Sequence, residues 1–274
     1  MRLLMVGDVV GRVGRRMLAA ELTRLRASAA PDLVVVNGEN AAGGNGITHE
    51  ILDEILAQGV QVVTSGNHIF DKREVLTFLD EVPQLLRPLN LPPGTPGHGY
   101  VVTAAGGVPA AVINLAGRAF MPVQYDDPFR AVDAVLASLP EEVRVVVVDF
   151  HAETTSEKVA MGWYLDGRVS VVAGTHTHVQ TADARILPGG TAYLTDLGMT
   201  GPAFSVIGVR TELVLQKLTT QLPVRFETAG GPGVFSGLLV DINPADGRAY
   251  HIERLLRWEE AAGGDQEGHG WEHA

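Results

Sequence analysis

The sequence predicts an α/β fold whose functional loops all follow strands, and three observations carry that prediction. Over the first 180 residues, short β-branched runs alternate with helical patterns. Each run ends in a turn rich in Gly, Asn, Asp or His, and the hydrophobic period switches from strand to helix at that turn. In sheets built this way ligands sit beyond the carboxyl ends of the strands, so residues far apart in sequence can meet there.

Taken in order, Leu3 to Val6 is a buried strand, GDVVGRVG the turn after it, and Arg15 to Ala27 a helix with Met17, Leu18, Leu22 and Leu25 at helical spacing. Pro31 and Asp32 break that helix. Leu33 to Val36 is the second strand and GENAAGGNG its loop; Thr48 then caps a helix running through Ile51, Ile55 and Leu56. Val60 to Val63 is the third strand, followed by SGNHIFD and a helix from about Lys72 to Leu79. Val101 to Thr103 and Ala110 to Asn114 pair across the Gly106-Gly107 turn. Phe129 to Leu139 is helical, Val143 to Val148 is the most apolar strand, and Val169 to Ala173 leads into GTHTH. Beyond Arg185 the chain reads as strands and turns with one helical stretch near Thr211 to Leu218. Without a long linker, residues 1–258 are expected to form one domain, and 259–274, polar and Gly-rich, a flexible tail.

Composition narrows the chemistry. The 274 residues are 46% hydrophobic and 19% charged, which excludes disorder as a reading of the whole chain. Cysteine is absent, so any metal is held by His, Asp, Glu, Asn or backbone oxygen. Acidic residues outnumber basic ones by 32 to 21, and no Lys/Arg block is present to track a phosphate backbone. Long nucleic acid is therefore not an expected partner, although metal ions can still make a local site for a small phosphate. No run approaches the ~20 apolar residues of a membrane span, and Leu3 to Val6 is too short for a signal-peptide core. The expectation is a cytoplasmic protein with no membrane partner. An apolar surface in the later β region is compatible with a homo-oligomer.

The candidate site residues all fall at strand ends. In GTHTH, alternation puts His176 and His178 on one side of an extended segment; alone, the pair reads equally well as two hydrogen-bonded structural histidines. His151 ends the apolar run VRVVVVDFH, where a strand-end cap is the plain alternative. In GNHIFD, Gly66 permits a sharp turn, Asn67 offers a carbonyl oxygen that adds no negative charge, and His68 follows with a ring suited to proton donation. An Asx turn with a structural His68 is the competing account. Asp8 and the pair Glu39-Asn40 follow the first two strands, and buried-rim carboxylates call for positive charge. Arg12, Arg15 and Arg16 can supply it for Asp8 but not also account for Glu39, Asn67 and three histidines. Together these residues form a two-metal site with mixed nitrogen and oxygen ligands.

The ordered blocks GDVVGRVG, GEN, GNHIFD, FHAE and GTHTHVQTAD, with DLGMTGP at 196–202, resemble the calcineurin-like metallophosphoesterase superfamily. The resemblance runs from residue 7 to about 202 and is narrower for the YmdB-like branch of bacterial cyclic-nucleotide phosphodiesterases. The superfamily usually opens with Asp-x-His and bridges its metals with Asp; here Asp8 is followed by Val9-Val10, and Glu39 replaces the bridging Asp. In the YmdB-like branch an Asn beside the Glu takes the vacant place. The resemblance thus implies one metal on Asp8, Glu39, Asn40 and His178, a second on Glu39, Asn67, His151 and His176, and His68 as proton donor. It implies a four-layer α/β/β/α sandwich and two metal ions, with iron expected and manganese or another divalent ion as substitutes. The expected reaction is attack on a small phosphodiester, a 2',3'- or 3',5'-cyclic nucleotide, by a hydroxide shared between the ions. A phosphomonoesterase or nucleotidase on the same site, or a non-catalytic nucleotide-binding regulator, are the alternatives. The proline-stiffened loop LNLPPGTPGHGY is read as a surface connection, and His49 and His98 as non-ligands.

Overall fold

A computed structural model describes residues 1–259. The chain begins β1 (Arg2–Val6), β2 (Asp8–Val9), α1 (Gly11–Ser28), β3 (Leu33–Asn37), α2 (His49–Ala57) and β4 (Val62–Thr64). A 3-10 turn over Arg73–Thr77 precedes β5 (Tyr100–Ala105), β6 (Val108–Ala116), α3 (Pro128–Ser138), β7 (Val145–His151), α4 (Thr155–Leu165) and β8 (Val171–Thr175). The remainder is β9 (Arg185–Ile186), β10 (Ala192–Leu194), β11 (Met199–Pro202), α5 (Thr211–Thr220), β12 (Gly233–Ile242) and β13 (Ala249–Trp258).

These strands form two sheets. One runs β2-β11-β12-β1-β3-β4 with β13 added on β12; the other runs β5-β6-β7-β8-β10-β9. The pairs β1-β3-β4 and β6-β7-β8-β10 are parallel, so their carboxyl ends point the same way within each sheet.

Alternation along the strands explains why the sheets stack. In β1, Leu4 and Val6 face α1 and α2, whose Met17, Leu18, Leu22, Leu52 and Ile55 complete one core. Leu3 and Met5 face the other way and pack against Val112, Val145, Val147 and Val171 of the second sheet. The far side of that sheet, with Ile113, Val146, Val148 and Phe150, is covered by Val132 of α3 and Met161 of α4. Strands buried on both faces read as continuous apolar runs, the signature VVV in β3 and VVVV in β7. The layers are therefore helix, sheet, sheet, helix, the four-layer α/β/β/α sandwich expected.

Several local readings need correction. Helix α1 starts at Gly11, four residues before the expected Arg15, and the preceding turn contains the two-residue strand β2, which pairs with Met199 and Thr200 of β11. The helix expected over 72–79 is a 3-10 turn closed by the Thr77 hydroxyl donating to the Glu74 carbonyl at 2.7 Å. Helix α4 has no counterpart in the sequence reading, and its inward face carries Lys158. No residue of α5 is buried. No helix among the described residues is long and apolar enough to cross a membrane. The proposed tail lies, from residue 260 on, outside the described residues.

Candidate active site

Five chain segments deliver the expected residues to one place. Asp8 follows β1, Glu39 and Asn40 follow β3, Asn67 and His68 follow β4, His151 ends β7, and His176 and His178 follow β8. The parallel strands of both sheets thus end around a common hollow, as the topology requires. Asp8, Glu39, Asn40 and His151 are buried, while His68 is half-buried with 37% of its side chain exposed.

His151 is the centre of the tightest cluster. Its Nε2 lies 3.2 Å from Glu39 Oε1, 3.1 Å from Asn67 Oδ1 and 3.1 Å from His176 Nδ1. The Glu39, His151 and His176 donor atoms all lie within 4.8 Å of one another. Gly66 makes this approach feasible, since a Cβ there would overlap both the His151 ring and the Glu39 carboxylate.

Each imidazole commits one nitrogen to an outward partner and turns the other inward. His151 Nδ1 donates to Thr175 Oγ1 at 2.9 Å, and Thr175 in turn donates to Asp149 at 2.7 Å. Asp149 is itself held by the Thr64 hydroxyl and by Asn37 Nδ2 at 3.1 Å. His176 Nε2 donates to Glu153 at 3.0 Å, and His178 Nδ1 donates to the Ile207 carbonyl at 2.9 Å. These outer hydrogen bonds turn His151 Nε2, His176 Nδ1 and His178 Nε2 inward as the atoms that would bind a metal, His151 after giving up its Nε2 proton.

Asp8 and Asn40 border the same cluster, Asp8 Oδ1 standing 3.9 Å from His151 Nδ1. Asp8 Oδ2 accepts the His176 backbone N–H at 3.2 Å, but buried Asp8 Oδ1 has no hydrogen-bond partner among the described residues, and His178 Nε2 stands 4.0 Å from it. Buried Asn40 Oδ1 is likewise unpartnered among the described residues. Leaving a buried acceptor unsatisfied costs on the order of 1–3 kcal/mol, more when it is charged. A cation bound at either oxygen would satisfy it, and the donor set of carboxylate, amide and imidazole fits a divalent metal. Two of the arginines weighed as partners for Asp8 are engaged elsewhere: Arg15 pairs with Glu54 at 2.9 Å and Arg16 with Glu259 at 2.6 Å.

The alternation argument for His176 and His178 fails in detail. Both residues have left-handed φ values, 98° and 66°, so the segment is a tight loop and the two rings reach different neighbours. Asp196 holds that loop: its Oδ2 accepts the Thr177 N–H at 3.2 Å, the Thr177 hydroxyl at 2.7 Å and the buried Lys158 ammonium at 2.6 Å.

His68 stands apart from the ligand cluster but next to it. Its backbone N–H donates to Glu39 Oε2 at 3.2 Å, and its Nδ1 to Asp71 Oδ2 at 2.8 Å, leaving Nε2 free for proton exchange. Asp71, inside the motif GNHIFD, is not singled out by the sequence reading; three-residue spacing from His68 is the available signal. Glu153 in FHAE and the Asp149-Thr175 pair also escape it, because their roles depend on register between β7 and β8. His49 and His98 lie elsewhere, against Asp53 and the Asp80 carbonyl. The LNLPPGTPGHGY loop is a surface connection, tied down by Arg87 donating to the carbonyls of Pro88, Leu89, Thr95 and Pro96.

Electrostatics dictates how the cluster loads. Burial pushes Asp8 up to about 6, which the positive charges of His178 and His151 only partly offset. Burial also opposes ionised Glu39, yet the charge and hydrogen bond of His151 overcome it and hold Glu39 near about 2. Burial likewise works against charged His151, but the same pairing raises it to about 9, while burial and the neighbouring His151 charge lower His176 to about 3. Without metal, His151 therefore carries a proton at a pH of about 7.5, and a ligand imidazole must give that proton up. Apparent metal affinity should fall as the pH is lowered, because Glu39 holds His151 in its charged form and burial raises Asp8, and both must be deprotonated to bind. Calorimetric titration of divalent metal in buffers of differing ionisation enthalpy should read about one proton released at a pH of about 7.5. Release of none would contradict the His151 assignment.

With fold and site together the class of the protein is settled: it is a phosphoric ester hydrolase of the metallophosphoesterase type, a type that works with divalent metal ions. It belongs to the YmdB-like protein family, whose model matches residues 4–255. It is 48% identical over 256 residues to the 2',3'-cyclic-nucleotide 2'-phosphodiesterase of Bacillus subtilis (strain 168), covering 93% of this chain and 97% of that one. The crystal structure of a hypothetical protein from Thermus thermophilus superposes with a TM-score of 0.88 at 42% identity, covering 94% of this chain and all (100%) of that one. That of a novel phosphatase from Mycoplasma pneumoniae gives 0.89 at 32% identity, covering 96% and 95%.

Proposed function

We propose that the protein is a dinuclear phosphodiesterase that opens a cyclic nucleotide, with the 2',3'-cyclic form favoured by the activity named for its Bacillus subtilis relative. The observation that supports the dinuclear reading is the pair of unpartnered buried oxygens, Asp8 Oδ1 and Asn40 Oδ1, in addition to the Glu39, His151 and His176 donors that could hold one ion by themselves. Glu39 lines one hollow with Asn40, His176 and His178. Asp8, Glu39, Asn40 and His178 would hold one ion, and Glu39, Asn67, His151 and His176 the other. Iron is the proposed ion at both places, with manganese or another divalent ion as a substitute. When bound, two such ions neutralise phosphate charge and bring the pKa of a water from about 15.7 toward about 7.

The chain's own residues do the rest. Two amides in place of carboxylates keep the cluster from repelling an anionic substrate, which matters in a protein of net charge −11. The outer partners Thr175, Glu153 and the Ile207 carbonyl fix ring orientation before substrate arrives, so no reorganisation is needed during the reaction. His68, fixed through Nδ1 by Asp71, presents Nε2 to protonate the departing ribose oxygen.

Turnover of 2',3'-cyclic and 3',5'-cyclic AMP should be compared with phosphate release from adenosine 2'- and 3'-monophosphates, using metal-loaded protein. A cyclic diester should be consumed to a monophosphate that then persists. Phosphate release from the monoesters at comparable kcat/KM would instead make the site a nucleotidase, and metal-loaded protein inert to all four would make it a binding module.

A further inference from the structure

Beside the ligand cluster lies a cavity of about 390 Å³, within the range of roughly 300–1,000 Å³ typical of small-molecule sites. Asn40, His68 and His178 line both this cavity and the adjoining hollow of about 260 Å³ that contains Glu39, Glu153 and His176. The two spaces thus meet at the proton donor and at one edge of the ligand cluster. The far walls come from Gly43 and Gly44 of the GENAAGGNG loop and from two segments outside every recognised motif, Ile207 to Val209 before α5 and Phe226 to Thr228 after it.

The lining specifies its occupant. Val10, Ile207, Val209 and Phe226 make an apolar wall, with the Phe226 ring half-exposed. A Cβ added at Gly43 would meet nothing within 4 Å, so a flat group has room against the bare backbone there. Besides Asn40, His68 and His178 where the two spaces meet, the polar lining residues are already partnered: Asn45 with Asp71 and Lys72, Glu227 with Arg210, and Thr228 with the Gly43 carbonyl. Among the described residues no lysine or arginine lines the cavity and one carboxylate does, which disfavours a second phosphate and suits an uncharged planar group. Ile207 ties the cavity to the cluster. It is a β-branched residue held at a left-handed φ of 46°, it borders both spaces, and its carbonyl accepts the His178 Nδ1 proton.

We propose that this cavity binds the base of a nucleotide substrate, with Phe226 as its stacking surface. None of the aromatics near the sequence motifs serves: Phe150 is in the core, Tyr125 is buried, and Phe70, Phe120 and Phe204 line neither space. The inference rests on the phosphodiesterase reading, which places the phosphate end of the substrate at the ligand cluster.

The test uses full-length, metal-loaded wild type, Phe226→Ala and Phe226→Tyr, with 2',3'-cyclic AMP and with ethylene phosphate, a five-membered cyclic diester lacking ribose and base. The ratio of kcat/KM for cyclic AMP to that for ethylene phosphate should fall roughly tenfold or more in Phe226→Ala and be largely retained in Phe226→Tyr. Calorimetry should show adenosine 3'-monophosphate binding wild type at least about tenfold tighter than ribose 5-phosphate, a preference lost in Phe226→Ala. An unchanged ratio in Phe226→Ala, or equal binding of the two phosphates, overturns the base assignment. If wild type hydrolyses neither diester, the phosphodiesterase reading fails, while the binding comparison still decides what the cavity holds.

Discussion

Glu39→Gln should yield a folded protein that retains neither metal nor turnover. The substitution keeps the side chain's shape and removes the carboxylate charge that stands 3.2 Å from His151 Nε2. Loss of activity should exceed the roughly 10- to 100-fold expected for losing an outer hydrogen-bond partner of a ligand. Folding is spared for an electrostatic reason. Glu39 is the main group holding His151 in its charged form, so without it His151 can become neutral rather than remain a buried, unpaired cation. Elemental analysis alongside turnover reads both effects; metal content and rate equal to wild type would show that Glu39 bridges nothing.

His68→Ala should separate catalysis from metal binding. His68 touches Glu39 only through its backbone N–H, which alanine preserves, and its ring is bonded to Asp71 instead. Metal content should stay at the wild-type level while kcat on a cyclic nucleotide falls about 10²- to 10⁴-fold, the usual contribution of a positioned acid. With bis-para-nitrophenyl phosphate the loss should be much smaller, because nitrophenolate departs without a proton. Equal losses on both substrates would move His68 from acid to a positioning role.

What the sequence revealed depended on how locally each feature is encoded. The strands β1, β3 and β7 are buried on both faces, so Leu3 to Val6, Leu33 to Val36 and Val145 to Val148 stand out as unbroken apolar runs. Strand-end polar residues next to such runs were readable for the same reason, and all eight candidates converge. Helix α4 was hidden because its inward face carries Lys158, neutralised by Asp196 at 2.6 Å, and Gly162, packed on Tyr193. A lysine and a glycine on the core side erase the apolar stripe that marks a helix. The backbone of GTHTH was misjudged because left-handed φ at His176 and His178 is imposed by packing around Asp196, not by residue type. Phe226 was invisible for a third reason. It reaches the site only through the fold, 48 positions after His178 and on the far side of α5.

A pair of metal ions sharing Glu39 should be visible in crystals of the metal-loaded protein through an anomalous difference map supported by elemental analysis. Two peaks roughly 3.5–4 Å apart are expected. One should lie among Asp8, Glu39, Asn40 and His178, the other among Glu39, Asn67, His151 and His176. A single peak within the His151 cluster, with metal in excess and Asp8 Oδ1 bonded to something else, would contradict it.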